Sequence, residues 1–337
     1  MKKAVFFEKL GQKKVQCNLC PHHCRLDNGK TGICLVRNNI GGDLFSVNYE
    51  KMSAITPDPI EKKPLYHFYP GKKILSIGSV GCNLKCKFCQ NYEISQTAVD
   101  DFAFLKSYTS DEVVNLALED SENIGIAYTY NEPIIWYEFV LECAHKAQES
   151  GLKNVLVSNG FINPEPLKQL LPFIDAFSID LKSFNNDFYK NLTSSKLAPV
   201  LQSIKQIKQS GKHLELTNLV ITGLNDDETE FSKMVDWIAS ECGEDTVLHI
   251  SRYFPMFKIK NLPTEEAKLE SLYEIATRKL HYVYLGNIRT LEAQNTFCPN
   301  CNELLVARSS YKTQIKKLDK SGNCKSCGHE VLNYFTP

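Results

Sequence analysis

Between residues 73 and 253 the chain alternates six times between a short apolar run and a longer stretch of mixed character. The runs are KILSIGS (73–79), IGIAYTY (124–130), NVLVSNG (154–160), AFSIDLK (176–182), LELTNLVI (214–221) and VLHISRY (247–253). Apolar runs of this length read as buried strands. The stretches after them read as amphipathic helices. Their starts carry Asp, Thr, Asn-Pro or Asp-Asp, and Gly151, Gly211 and Gly243 close helices. Repeated βα units require a parallel sheet with helices outside it and right-handed crossovers. The pattern therefore predicts an α/β fold. A partial (β/α)6 TIM-like barrel is the first choice and an open doubly wound sheet the second. YVYLGN (282–287) is a candidate further strand.

In such a barrel, chemistry sits at the carboxyl ends of the strands. The marked polar residues fall there. A cysteine loop follows 73–79, TYNEP follows 124–130 and SNG ends 154–160. DLK occupies 180–182, TN lies within 214–221 and HISRYFP spans 249–255.

The rest of the composition narrows the class. Lys+Arg and Asp+Glu balance at 39 each over 337 residues, so no overall charge draws the chain to nucleic acid or an anionic membrane. No apolar run approaches the roughly 20 residues of a membrane span. MKKAVFFEKLGQKKVQC has no continuous apolar core and no small-residue cleavage site, so the chain reads as cytosolic. In that compartment 13 cysteines point to metals rather than disulfides. Eleven form three groups: Cys17/Cys20/Cys24/Cys34, Cys82/Cys86/Cys89 and Cys298/Cys301/Cys324/Cys327. They suggest three regions: a four-cysteine metal-binding extension over 1–70, the barrel over 71–290 and a CxxC/CxxC knuckle over 291–337. Cys143 and Cys242 read as small core residues.

GCNLKCKFCQN (81–91) carries the central group. Three thiolates cannot pair off, and they under-fill a four-coordinate zinc site. A [4Fe–4S] cluster accepts a thiolate on each iron, so three cysteines leave one iron open. A zinc knuckle completed by a remote histidine and a set of buried structural thiols are the alternatives.

The spacing Cys82-x3-Cys86-x2-Cys89, with Phe88 in the aromatic position after the first barrel strand, resembles the signature of the radical S-adenosylmethionine (SAM) superfamily. The resemblance implies that SAM chelates the open iron and that one electron from the reduced cluster breaks its C5′–S bond. The resulting 5′-deoxyadenosyl radical takes hydrogen from a substrate, the cofactor carrying the hard chemistry. It also implies an external electron donor of flavodoxin or ferredoxin type.

Where that superfamily carries a Gly-Gly-Glu-like motif, this chain has YTYNEP, with Thr129, Asn131 and Glu132 and no glycine pair. Glu132, with Asn131 beside it, is the expected partner of the SAM amino group through a charge-assisted hydrogen bond. The same residues also suit a helix start, Asn131 as cap and Pro133 in the first turn. Ser158 and Asn159 are candidates for the methionyl or ribose part of SAM, or for a plain Asn-Gly turn. Asp180 and Lys182 share one side of a strand and need a ligand or each other. Phe88, Asn218, His249 and Arg252 complete the cofactor-binding candidates.

CNLCPHHCRLDNGKTGIC, with Cys17, Cys20, Cys24 and Cys34, suits zinc or an auxiliary iron–sulfur cluster, and His22 and His23 are spare ligands. CPNC…CKSCG, with Cys298, Cys301, Cys324 and Cys327, reads as a zinc-ribbon or rubredoxin-like staple for zinc or iron. Its basic insert reads as a solvated hairpin rather than a nucleic-acid contact.

The order of all these motifs is similar to the AmmeMemoRadiSam-system radical SAM enzymes, relatives of pyruvate formate-lyase activating enzyme. It covers nearly the whole chain. It implies AMMECR1-like and Memo-like proteins as partners and leaves the substrate open. The competing readings are a glycyl-radical activating enzyme and a non-catalytic metal-binding module.

Overall fold

The computed structural model describes residues 1–288 and 292–335. The expected barrel–knuckle boundary at 290/291 lies outside the described residues.

One eight-stranded sheet organises the molecule. Its strands are Ala54–Pro59 (β1), Lys73–Gly78 (β2), Asn123–Tyr128 (β3), Lys153–Ser158 (β4), Ala176–Asp180 (β5), His213–Val220 (β6), Val247–Arg252 (β7) and Val283–Gly286 (β8). They lie side by side in chain order. The strands β2 to β8 pair in parallel, and β1 pairs antiparallel with β2. A doubly wound sheet reverses its strand order at a switch point. This sheet has no reversal, which excludes the second choice.

All six expected strands are present, and 282–287 supplies a seventh parallel one. The strand β1 was not foreseen. Its sequence AITPDP contains two prolines, which withhold ladder donors and confine a strand to a sheet edge. It occupies that edge.

Helices follow the strands: Ser110–Glu119 (α1), Tyr137–Glu149 (α2), Pro164–Leu170 (α3), Leu197–Gln209 (α4), Glu228–Cys242 (α5) and Glu266–Thr277 (α6). Their ends follow local chemistry. Thr109 and Glu112 form a reciprocal capping box at α1. Asp227 Oδ1 accepts from Glu230 N at 2.8 Å to cap α5. Cys143 and Cys242 are buried in α2 and α5.

Two small modules flank the sheet. Residues 2–46 form a pair of three-stranded sheets. They are anchored to α2 by a buried bidentate pair, Arg37 Nη2 to Glu138 Oε1 at 2.7 Å and Oε2 at 2.8 Å. At the other end, Thr296–Phe297 (β9), Leu304–Ser309 (β10) and Lys312–Ile315 (β11) form a ribbon. Its apolar core, including Leu305, Val306, Leu318 and Leu332, merges with Val247, Tyr282 and Tyr284. Those residues lie at the amino-terminal ends of β7 and β8. The ribbon therefore packs away from the carboxyl ends where the central cysteines emerge. Among the described residues no helix is long and apolar enough to cross a membrane.

Candidate active site and metal centres

The central cysteine loop leaves β2 and is tied down on both sides. Asn131, past the end of β3, accepts from Ser79 N at 3.0 Å and donates to Gly81 O at 2.9 Å. Asn91 Nδ2 donates to Tyr130 O at 2.6 Å. On the far side Lys85 N and Lys87 N donate to Thr193 O (2.8 Å) and Leu192 O (2.9 Å), in the segment before α4. Cys86 is buried, and Cys82 and Cys89 are partly so. Phe88 is buried against Phe188, with ring centroids 5.7 Å apart.

Burial, and then the negative charge of Glu132, push the Cys82 thiol well up. Burial pushes the Cys86 thiol up to about 12, although Lys182 opposes it. Buried thiolates need a cation, and a coordinating thiol is deprotonated outright. These donors suit a metal centre.

Glu132 sits at the carboxyl end of β3, only 2% exposed. Its Oε1 accepts from Ile134 N at 3.0 Å and Ser158 Oγ at 2.8 Å, and its Oε2 accepts from Asn159 N at 2.8 Å. All three donors are neutral. Burial pushes the carboxyl up to about 7, with the charge of Asp180 adding to the rise. Asn159 then reaches the cysteine loop, donating Nδ2 to Asn83 Oδ1 at 2.9 Å and toward Cys82 Sγ at 3.8 Å. Asp180 and Lys182 pair at 2.8 Å, and the Lys182 ammonium lies 6.0 Å from the centre of the Phe88 ring.

The structure thus gathers Cys82, Cys86, Cys89, Phe88, Glu132, Ser158, Asn159, Asp180 and Lys182 at the carboxyl ends of β2 to β5. The other candidates also make structural contacts. Thr129 N donates to Ile77 O at 2.9 Å and extends the β2–β3 ladder. Both ends of the Asn131 amide are taken by the loop backbone. Asn218 Nδ2 donates to Leu181 O at 2.8 Å, bracing the strand between Asp180 and Lys182, while its buried Oδ1 has no partner among the described residues. Arg252 bonds Glu266 and Thr264 O, each at 2.7 Å, at the start of α6. His22 Nε2 faces Asn83 O at 2.8 Å, so that nitrogen is engaged outside the N-terminal cysteine group.

His249 belongs to a buried cluster that the sequence reading overlooked. Glu215 of β6 accepts from Tyr66 N (2.9 Å), His67 N (2.7 Å), His213 Nε2 (2.9 Å) and His249 Nε2 (2.6 Å). The His67 ring meets Tyr284 OH at 2.6 Å. Tyr284 OH in turn lies 2.8 Å from Thr296 Oγ1, which accepts from Arg308 of the ribbon at 2.7 Å. The signal was a carboxylate near the start of the apolar strand LELTNLVI.

In the ribbon, the ligand atoms of Cys298, Cys301, Cys324 and Cys327 all lie within 4.8 Å of one another. Cys298 and Cys327 lie 3.5 Å apart and Cys301 and Cys324 3.6 Å apart. A tetrahedral zinc with bonds of about 2.3 Å sets its sulfurs about 3.8 Å apart. Two matching turns hold the thiols: Asn302 N donates to Cys298 O and Gly328 N to Cys324 O, both at 2.8 Å. The group has the spacing of a single-ion site. In small zinc domains, metal binding contributes on the order of 10 kcal/mol to folding. Cys298→Ala is therefore expected to release the ion and melt the ribbon, seen as lost amide-exchange protection over 296–332. The carboxyl-end site of the surviving folded chain should keep its metal.

The comparisons with known proteins agree with this geometry. The model of the radical SAM superfamily matches residues 76–238, the span from β2 into α5. The chain belongs to the radical SAM superfamily. This radical SAM protein is 40% identical over 334 residues to the uncharacterized protein MJ0808 of Methanocaldococcus jannaschii, covering 98% of this chain and 99% of that one. It is also similar to two activating enzymes. One is the 4-hydroxyphenylacetate decarboxylase activating enzyme of Clostridium scatologenes, 24% identical over 45% of this chain and 52% of that protein. The match thus spans about half of that enzyme's length. The other is the pyruvate formate-lyase 1-activating enzyme of Escherichia coli, 22% identical over 57% of this chain and 79% of that protein. The fold is shared with Streptococcus suis SuiB bound to S-adenosylmethionine, at a TM-score of 0.51 and 16% identity, over 68% of this chain and 53% of that one. Family membership makes the chain an enzyme, and it implies a [4Fe–4S] cluster, SAM and an electron donor.

Proposed function

We propose that Cys82, Cys86 and Cys89 hold the [4Fe–4S] cluster and that Glu132, Ser158, Asn159, Asp180 and Lys182 form the SAM pocket beside it. The observation that carries this reading is the continuous chain from Glu132 through Asn159 to Cys82. A buried carboxylate bonded by neutral donors alone, next to three metal-binding thiols, is a place for an amino group. Bound there, SAM and the reduced cluster supply a 5′-deoxyadenosyl radical that takes a hydrogen atom from substrate. The chain's own residues place the carboxylate, brace the cysteine loop and exclude water. Phe88 covers the loop, and Lys182 offsets the negative charge near Cys86.

The sheet's sequential order supports a partial barrel with this pocket at its mouth. The order of cysteine groups and strand-end motifs supports membership of the AmmeMemoRadiSam-system enzymes, with AMMECR1-like and Memo-like proteins as partners and a flavodoxin- or ferredoxin-type donor. The close sulfurs of the ribbon support zinc there. The thiol-rich composition supports a cytosolic setting.

Glu132→Gln tests the pocket. A hydrogen bond to a charged group contributes about 1.5–3 kcal/mol, so SAM affinity is expected to fall about 10- to 100-fold. Iron content should be unchanged. Anaerobic calorimetric titration of the reconstituted protein measures both variants. Equal affinities would return Glu132 to bracing the ends of β3 and β4.

A second reading has support from the two activating enzymes: hydrogen is taken from a glycine of a partner protein. A glycyl-radical EPR signal on a co-purified or supplied partner would establish it. A modified small molecule without that signal would count against it.

A further inference from the structure

We propose that Cys17, Cys20, Cys24 and Cys34 hold an iron–sulfur cluster of their own, seated beside the central cysteine loop.

The first support for this is spread. In the ribbon, four sulfurs converge to the spacing of one ion. Among the described residues neither the N-terminal four nor the central three form a group whose ligand atoms lie within 4.8 Å of one another. A polynuclear cluster spaces its thiolates by its own width, with one thiolate on each iron of a four-iron core. The N-terminal group, like the central one, therefore lacks the tight spacing of the ribbon. This comparison leans on the proposed cluster at the central three.

The second is preparation for negative sulfur. Cys17, Cys20 and Cys34 are buried and Cys24 is partly so. Cys24 O accepts from Cys17 N at 2.9 Å, closing the loop between them. The virtual Cβ of Gly32 lies 3.7 Å from both Cys24 Sγ and Cys34 Sγ, so those sulfurs flank one glycine. Nearby backbone N–H groups favour negative sulfur: that of His22 at Cys20, of Ile33 at Cys24, and of Val36 and Arg37 at Cys34. The Arg37 guanidinium is 1% exposed and interacts electrostatically with Cys17 and Cys34. Its Nη2 serves Glu138, but its Nε is buried and without a partner. A buried N–H of a cation beside a group of thiols suits an anionic sulfur centre, and hydrogen bonds to the sulfurs are what tune such a centre's potential.

The third is position. A side chain at Gly81 would collide with the Cys34 carbonyl, so the two cysteine-bearing loops touch there. His22 meets Asn83 O at 2.8 Å, one residue from Cys82. Lys85 interacts electrostatically with Cys34 as well as with all three central cysteines. A closed zinc site would staple this contact equally well, but it would need sulfurs drawn in as the ribbon's are.

The experiment uses the full chain with Cys82→Ser, Cys86→Ser and Cys89→Ser together, reconstituted anaerobically with iron and sulfide. Acid-labile sulfide is the deciding quantity, because a single-ion ribbon site carries none. The triple variant is expected to retain iron and sulfide in equal amounts and an EPR signal on reduction. Adding Cys20→Ser and Cys34→Ser should remove both. In the reduced parent protein, spin coupling between neighbouring clusters should broaden the EPR lines relative to the triple variant. Zinc without sulfide in the triple variant would overturn the proposal, whether or not the fivefold variant folds. Equal sulfide in parent and triple variant would support this site and refute the central one, so the two readings fail separately.

Discussion

Cys86→Ala is expected to reduce 5′-deoxyadenosine formation to the level of a protein-free control and to remove about four iron atoms per chain, those of one [4Fe–4S] cluster. The reason is local. Cys86 is the buried member of the central three, and burial holds its thiol near 12, so only a metal makes it anionic at neutral pH. Without it two partly exposed cysteines remain, and a cluster with two protein ligands has lost its anchor on the side facing Lys182. General disruption of the core is excluded by Cys143→Ala. That change removes a fully buried thiol from α2 that makes none of the loop's hydrogen bonds, and is expected to leave cleavage intact. The assay is mass spectrometry of reduced protein with SAM, beside iron and sulfide analysis. Undiminished cleavage in a Cys86→Ala protein with full iron would falsify the central site.

The legible parts of this molecule are those with a local signal. Six strands, their helices and the placement of the cysteine loop after the first parallel strand follow from apolar runs and from caps such as Thr109 and Asp227. The four ribbon cysteines were legible because CxxC knuckles form within a few residues. What the sequence hid depends on contacts between distant segments. Asn131 looked like a ligand but is consumed by the backbone of Ser79 and Gly81, 52 and 50 residues earlier. His249 sits in a strand whose end points to the site, yet its ring turns to Glu215, 34 residues away. Arg252 lies on the same strand but closes onto α6. Strand alternation gives the face of a side chain; it does not tell which end of the sheet a long side chain leans toward. The N-terminal cysteines were legible as a group, but their packing on the central loop was not, since it rests on Gly81, Asn83 and Cys34 meeting in space.

Glu215→Ala is expected to destabilise the folded chain by about 3–5 kcal/mol, the usual penalty for removing one member of a buried charged network. Burial alone would raise this carboxyl. The hydrogen bonds from His213 and His249 overcome that and hold it well below the usual range. Its four acceptor positions meet four donors from three separate segments: Tyr66 and His67 before β2, His213 on β6 and His249 on β7. Truncation leaves three buried donors and the half-buried His213 unmet. The ribbon shares the loss, because Arg308 donates to Tyr66 O at 2.8 Å and stacks 4.3 Å from the Tyr66 ring. The pH dependence has a definite sign. A depressed carboxyl contributes stability above its unfolded value, about 4.3, and loses it as pH falls through the folded value. His67 acts in the same direction. Burial pushes it from 6.5 down to about 3, so the unfolded chain binds the extra proton between those values. Stability should therefore fall by up to about 1.4 kcal/mol per pH unit on acidification through that window from His67 alone. His67→Phe is expected to flatten the slope, and Glu215→Gln to remove its lower part. Urea unfolding at several pH values measures each. A Glu215→Ala loss below about 1 kcal/mol, the scale of a surface pair, would show that water fills the site and that the cluster is not what joins ribbon to sheet.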